Sequence, residues 1–193
     1  MEIDFITSNQ VKLSIAREIL GKYNITVNQQ TFDFREIQSI NIEHVATDKA
    51  NQVMDKFNKS YIIDDSGIYI EALSNFPGAL LKTVSKILGE DKIIKLLENE
   101  KNRNATFVNV LVLGNPSSKI TKIFATETKG TISQVALGDR KVGWAIDRIF
   151  IPENYGKTLA ELSDSEWEKY WIEFKNNLHY EKLGRWMTDN NSR

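Results

Sequence analysis

The chain has no cysteine, which removes disulfides, thiolate nucleophiles and zinc–thiolate sites together. Histidine is nearly as scarce. With only His44 and His179, neither a multi-histidine metal centre nor a serine–histidine–aspartate triad is in prospect. Any metal would be a hard cation on carboxylate oxygens, Mg²⁺ or Mn²⁺ before Zn²⁺. No apolar run approaches the roughly 18 residues that mark a membrane span. The opening MEIDFITSNQ has neither a basic start nor a long apolar stretch, so the expectation is a cytoplasmic protein with no membrane partner. An excess of one charge is missing too. Lysine and arginine number 25 against 26 aspartates and glutamates, and a net charge of −1 gives no electrostatic footprint for nucleic acid.

What is present is ordinary: 193 residues, 41% hydrophobic and 26% charged, enough for one globular domain over 1–193 with a sizeable core. EIDFIT reads as a short strand, Asn9 stands where a helix could begin, and Val11, Leu13, Ile15, Ala16, Ile19 and Leu20 recur at helical spacing up to Gly21. A second strand, NITVNQQTFDF, precedes a helix from about Ile42 to Phe57, and YIID is a third strand. After Pro77-Gly78, the helical segments ALLKTVSKIL and DKIIKLLENE flank Gly89, while ATFVNVLVLG and ITKIFATETKGTISQVA alternate like long antiparallel strands joined by NPSS. Residues 158–187 return to helix. The fold class is therefore α/β, with a long, twisted, mixed central sheet flanked by helices.

Chemistry concentrates in three places. TSNQVK sets Thr7, Ser8 and Asn9 at a strand-to-helix junction with Lys12 one turn in, where free N–H groups and a lysine attract phosphate. Glu36 follows TFDF, and Asp64 and Asp65 close YIID just before Ser66 and Gly67. Ligand crevices in open α/β sheets form at the carboxyl ends of strands, so these acids and the TSNQVK turn could converge. Two plainer readings compete: an asparagine N-cap with a solvated lysine, and an Asx turn at Asp65-Ser66-Gly67.

The motifs TSNQVKL, EIQ, the Lys49-Ala50 pair of EHVATDKA, DDSGIYIEALSNFPG and IFIPENYGKTLAEL occur here in the order of the inosine/xanthosine triphosphate pyrophosphatase family, which this sequence resembles from residue 3 to about 163. The resemblance implies an elongated α/β fold with two lobes and a deep cleft, a homodimer, and Mg²⁺-dependent hydrolysis, Mn²⁺ being a substitute. Nucleoside triphosphates such as ITP, dITP and XTP would yield the monophosphate and pyrophosphate in nucleotide-pool cleaning. By position, Thr7, Asn9 and Lys12 would hold the phosphates, with Ser8 and Ser66 beside them and Lys49 as a second phosphate lysine. Glu36 would be a metal ligand, Asp65 a metal ligand or the base for water, and Asp64 a further ligand beside it. On this reading the paired aspartates tolerate each other because a cation and a polyphosphate complete the site.

The base-binding half departs from the family pattern. GWAIDR replaces a glycine-phenylalanine-glycine-tyrosine-aspartate-proline motif, leaving Trp144 as a stacking face and Asp147 in place, with Arg148 where proline is usual. The serine-histidine-arginine motif has no clean counterpart. His179 in NNLHYEKL is the candidate base reader, with Lys169 and Lys175 as other inward-pointing possibilities, and Lys82 occupies the segment after Pro77-Gly78. An intact phosphate half beside a rewritten base half implies the same bond cleaved, with altered or relaxed base choice. A nucleotide-binding regulator without turnover and a ligand-free dimeric scaffold are the alternatives. Trp167, Trp171 and Trp186 read as core or interface, KNRN at 101–104 as a solvated turn, and His44 as carrying no signal.

Overall fold

Residues 1–139 and 145–191 are described by a computed structural model of the chain. Strand β1 (Glu2–Ile6) leads through Asn9 into α1 (Gln10–Gly21), whose first turn is capped by the Asn9 Oδ1 accepting the N–H groups of Val11 and Lys12 at 3.0 and 3.1 Å. Leu13, Ala16, Ile19 and Leu20 form its buried stripe. The order continues β2 (Thr26–Gln30), α2 (Ile42–Val53), β3 (Tyr61–Ile70), β4 (Pro77–Gly78), α3 (Leu81–Leu96), β5 (Asn104–Asn115), β6 (Ile120–Ile132), β7 (Phe150–Pro152), α4 (Asp164–Asn177) and α5 (His179–Asn191). The seven strands form one mixed sheet in the order β2-β1-β3-β5-β6-β7, with β4 on β3. β1 runs parallel to β2 and β3, and the other pairs are antiparallel.

Two local expectations change and one holds. The second strand stops at Gln30, opposite Ile6, because β1 ends there and offers nothing further to pair with. The two helical segments expected on either side of Gly89 hold, meeting within α3 at a kink where Gly89 leaves helical geometry at φ 74° and ψ 170°. Most consequentially, β3 does not end at Asp64. It runs to Ile70 in continuous register with β5, from Tyr61↔Gly114 to Ile70↔Ala105, whereas β1 pairs only with Tyr61 and Ile62. The expected turn at Asp65-Ser66-Gly67 is strand instead. Gly67 is there for close approach, since a Cβ on it would lie 2.7 Å from the carbonyl oxygen of Gly78 in β4.

Alternation along β3 sends Ile62, Ile68 and Ile70 into one core with α1, α3 and α5, and Tyr61 and Ile63 into another beneath α2. Asp64 and Ser66 share the parity of the first face, and Asp65 that of the second. The C-terminal tryptophans are core-packed as expected: Trp167 and Trp171 stack at 5.6 Å, and Trp186 meets Phe124 edge-on at 6.1 Å. KNRN is more than a solvated turn, because the Arg103 guanidinium donates to the carbonyls of Leu97, Ile132 and Ser133 at 2.6–2.7 Å. No helix among the described residues is long and apolar enough to cross a membrane.

Candidate active site

A cleft of about 420 Å³ opens where β1 has stopped and β3 continues. Thr7, Ser8, Asn9 and Lys12 line it from the β1–α1 turn, Lys49 from α2, Glu36 from the irregular stretch before α2, and Asp64, Asp65 and Ser66 from β3. Every site residue expected in the first half of the chain is thus brought together. Asn9 already caps α1, and its own N–H is held by the Thr7 hydroxyl at 3.0 Å, so the turn is rigid.

On the α1 face, the Lys12 ammonium donates to the Asp64 Oδ1 at 2.8 Å, the Asp64 carbonyl at 3.0 Å and the Ser66 Oγ at 2.9 Å. Ser66 passes its own proton to the Asn109 Oδ1 at 2.8 Å. The second oxygen of Asp64 faces the His179 Nε2 at 3.1 Å and accepts the Tyr180 hydroxyl. Only 2% of the Asp64 side chain is exposed. Burial by itself would raise this carboxyl, but Lys12 and His179 beside it outweigh burial and hold it well below the usual carboxylate range. The same burial, with Asp64 adjoining, pushes the Tyr180 hydroxyl well above its ordinary value.

The α2 face is built differently. Lys49 sits in the buried stripe of α2 with Ile42, Val45, Ala46, Ala50 and Val53, and its ammonium meets the Asp65 Oδ1 and the Glu36 Oε1, each at 2.9 Å. Burial works against the lysine's charge, yet Asp65 and Glu36 raise its pKa overall, and Lys49 in turn lowers that of Glu36. The Asp65 Oδ2 is buried with no hydrogen-bond partner, whereas the Glu36 side chain is 65% exposed at the mouth. An orphaned carboxylate oxygen beside a second carboxylate suits a hard divalent cation. Among the described residues no cluster of three or more His, Cys, Asp or Glu side chains could hold a metal, so such a cation would take most of its shell from water and substrate.

This geometry corrects the expected role of Asp64. The two aspartates point to opposite faces of β3, each with its own lysine, and both Asp64 oxygens are already bonded. His179 is corrected likewise, because it lies buried against Asp64 and is absent from the cleft lining. Trp144 lies outside the described residues. Asp147 is buried in the turn before β7, its carbonyl receiving the Ala160 N–H at 2.8 Å, away from the cleft lining. Lys175 pairs with Glu18 at 2.6 Å and Lys169 is exposed, whereas Lys82 lines the cleft at the start of α3. Arg148, in the position where the family carries proline, reaches the Gly138 carbonyl at 3.1 Å and Glu90 at 3.7 Å, tying this turn to α3. Sequence reasoning missed Asn109 and Tyr180. Asn109 left a trace as the polar interruption of ATFVNVLVLG, and Tyr180 left none.

An α/β protein with a mixed sheet and a two-lysine cleft at the point where β1 stops is the class that fold and site define. The sequence profile of the Ham1 family matches residues 3–173. The dITP/XTP pyrophosphatase of Methanopyrus kandleri is 36% identical over 166 residues, covering 86% of this chain and 87% of that protein. The dITP/XTP pyrophosphatase of Saccharolobus solfataricus is 36% identical over 170 residues, covering 88% and 86%. Among solved structures, the Ham1 protein of Staphylococcus aureus superposes with a TM-score of 0.80 at 26% identity, covering 98% of this chain and all of that one. A HAM1 protein from Coxiella burnetii, at 24% identity and TM-score 0.83 over 98% of this chain and 99% of that one, shares the fold. The chain belongs to the Ham1 family.

Proposed function

We propose that the cleft hydrolyses non-standard purine nucleoside triphosphates such as ITP, dITP and XTP to the monophosphate and pyrophosphate, removing them from the nucleotide pool. The relatives named dITP/XTP pyrophosphatase support the substrate class. The observation that carries the chemistry is the buried, unpartnered Asp65 Oδ2 in a cleft that also holds two lysines. A proton acceptor beside cationic walls is what attack of water on a polyphosphate requires.

In this reading the Asp65 Oδ2 takes a proton from the attacking water. The water oxygen bonds to the α-phosphorus, the bond from that phosphorus to the bridging oxygen breaks, and the electron pair leaves with pyrophosphate. Lys49 fixes the other Asp65 oxygen at 2.9 Å, so the base is aimed before substrate arrives. Lys12 offsets charge on the phosphates. With Asp65 as the base, Glu36 is the carboxylate that would hold Mg²⁺, or Mn²⁺ in its place, and the cation would supply charge neutralisation on the polyphosphate when bound. A cytoplasmic homodimer belongs to the same reading, on the strength of the family resemblance. The test is a hydrolysis screen with Mg²⁺ over ITP, dITP, XTP and the standard triphosphates with both products identified. Monophosphate and pyrophosphate from the deaminated purines are expected, and no turnover with any of them sinks the reading.

A further inference from the structure

Lys12 has three ammonium hydrogens and three acceptors within 2.8–3.0 Å, so its position is set by whatever sets those acceptors. The Asp64 carbonyl is fixed by the strand. Ser66 Oγ is fixed by its bond to Asn109. The Asp64 carboxylate is the adjustable acceptor, and its orientation depends on what holds its other oxygen.

That oxygen is held from the start of α5, beyond the 3–173 span matched by the family profile. The buried Tyr180 ring meets Phe5 edge-on at 6.1 Å and lies tilted against the His179 ring at 4.3 Å, with its hydroxyl donating to Asp64. The His179 Nδ1 is buried without a partner, so the ring proton belongs on Nε2, where Asp64 accepts it. Apolar side chains of the same shape would fill this space without the cost of burying two polar groups. Two donors converging on one oxygen serve orientation.

We infer that Tyr180, with His179, is a positioning residue for phosphate binding: their donors hold the Asp64 carboxylate, and Asp64 with Ser66 holds the Lys12 ammonium at the triphosphate end of the cleft. The inference rests on the triphosphate reading of the site and adds that α5 sets the reach of a lysine on α1. Without the Tyr180 hydroxyl, Asp64 keeps His179 alone on that oxygen, its carboxylate can turn, and Lys12 turns with it.

The test is Tyr180→Phe, alone and combined with Lys12→Met, read by calorimetric binding of inorganic triphosphate, by kcat/KM for dITP and by Tm. Loss of a hydrogen bond to a charged group is expected to weaken triphosphate binding about tenfold and lower kcat/KM comparably. In the Lys12→Met background the same change should shift either quantity by no more than about twofold, because the lysine it positions is gone. Equal weakening in both backgrounds, or unchanged binding in the single variant, would overturn the inference. Should Tyr180→Phe fail to fold, His179→Gln, which keeps a donor for Asp64, is expected to bind triphosphate more tightly than His179→Phe, and equal binding by the two counts against it. A wild-type chain that binds inorganic triphosphate without hydrolysing dITP defeats the proposed function and leaves the binding comparison decisive. A wild-type chain that does not bind triphosphate defeats this inference.

Discussion

The two faces of β3 treat neighbouring aspartates in opposite ways. On the α1 face Asp64 is sealed, with every acceptor used and four side chains locked around it. On the α2 face Asp65 keeps one oxygen uncommitted, and its companion Glu36 stands in the open. One strand thus carries a carboxylate with both oxygens bonded beside a carboxylate with one oxygen unpartnered. Sequence adjacency means little when side chains alternate across a sheet.

The largest effect that would sharpen this comparison is on turnover. Asp65→Asn removes the proton acceptor and is expected to cut kcat roughly 10²- to 10⁴-fold. Asparagine keeps an oxygen for the Lys49 ammonium, so Tm should fall less than in Asp64→Ala, and a variant that unfolds would break the contrast. Asp64→Ala should do the reverse first. Removing one partner of a buried pair costs about 3–5 kcal/mol, a fall in Tm on the order of 10 °C for a chain of this size. Thermal melting of the two variants side by side decides it.

Next in size is the acid limb of stability. The folded Asp64 carboxyl titrates below its ordinary value of 3.8, so its contribution is complete above that value and is lost as pH falls through the lower, folded one. Unfolding free energy should therefore decline below about pH 4, and Asp64→Asn should flatten that decline. On the other face Lys49 is raised above 10.5, so its contribution is complete below that value and fades as pH rises through the folded one. The smallest effect is Glu36→Gln. An exposed ion pair is worth about 0–1 kcal/mol, so Tm should stay within about 2 °C, while the Mg²⁺ concentration for half-maximal hydrolysis rises several-fold. An unchanged Mg²⁺ requirement would remove Glu36 from the metal role.

Much of the phosphate half was legible. Asn9 as a cap, Lys12 one turn on, and Lys49 inside an apolar helical stripe are local patterns, and local patterns survive folding. The opposite orientation of Asp64 and Asp65 was legible in principle from strand parity. It was hidden because Ser66-Gly67 looked like a turn, when Gly67 serves instead to let the Gly78 carbonyl approach. Partners of Asp64 could not be read locally: Lys12 lies 52 residues away and His179 lies 115 away, brought in only by docking of α5. His179 stood out as one of only two histidines, in a segment with no clean family counterpart, and the structure sets it against Asp64 instead of in the cleft lining.

The docking of α5 also bears on the order of synthesis. β1, α1 and β3 precede α5 along the chain, and Lys12 can meet Asp64 once Tyr61 and Ile62 pair with β1. The second Asp64 oxygen then waits for donors that have not yet been translated, exposed to water in a half-built groove. Only when His179 and Tyr180 emerge is that oxygen closed over. The last-made helix is thus the one that completes the hydrogen bonding of a carboxylate on the third strand.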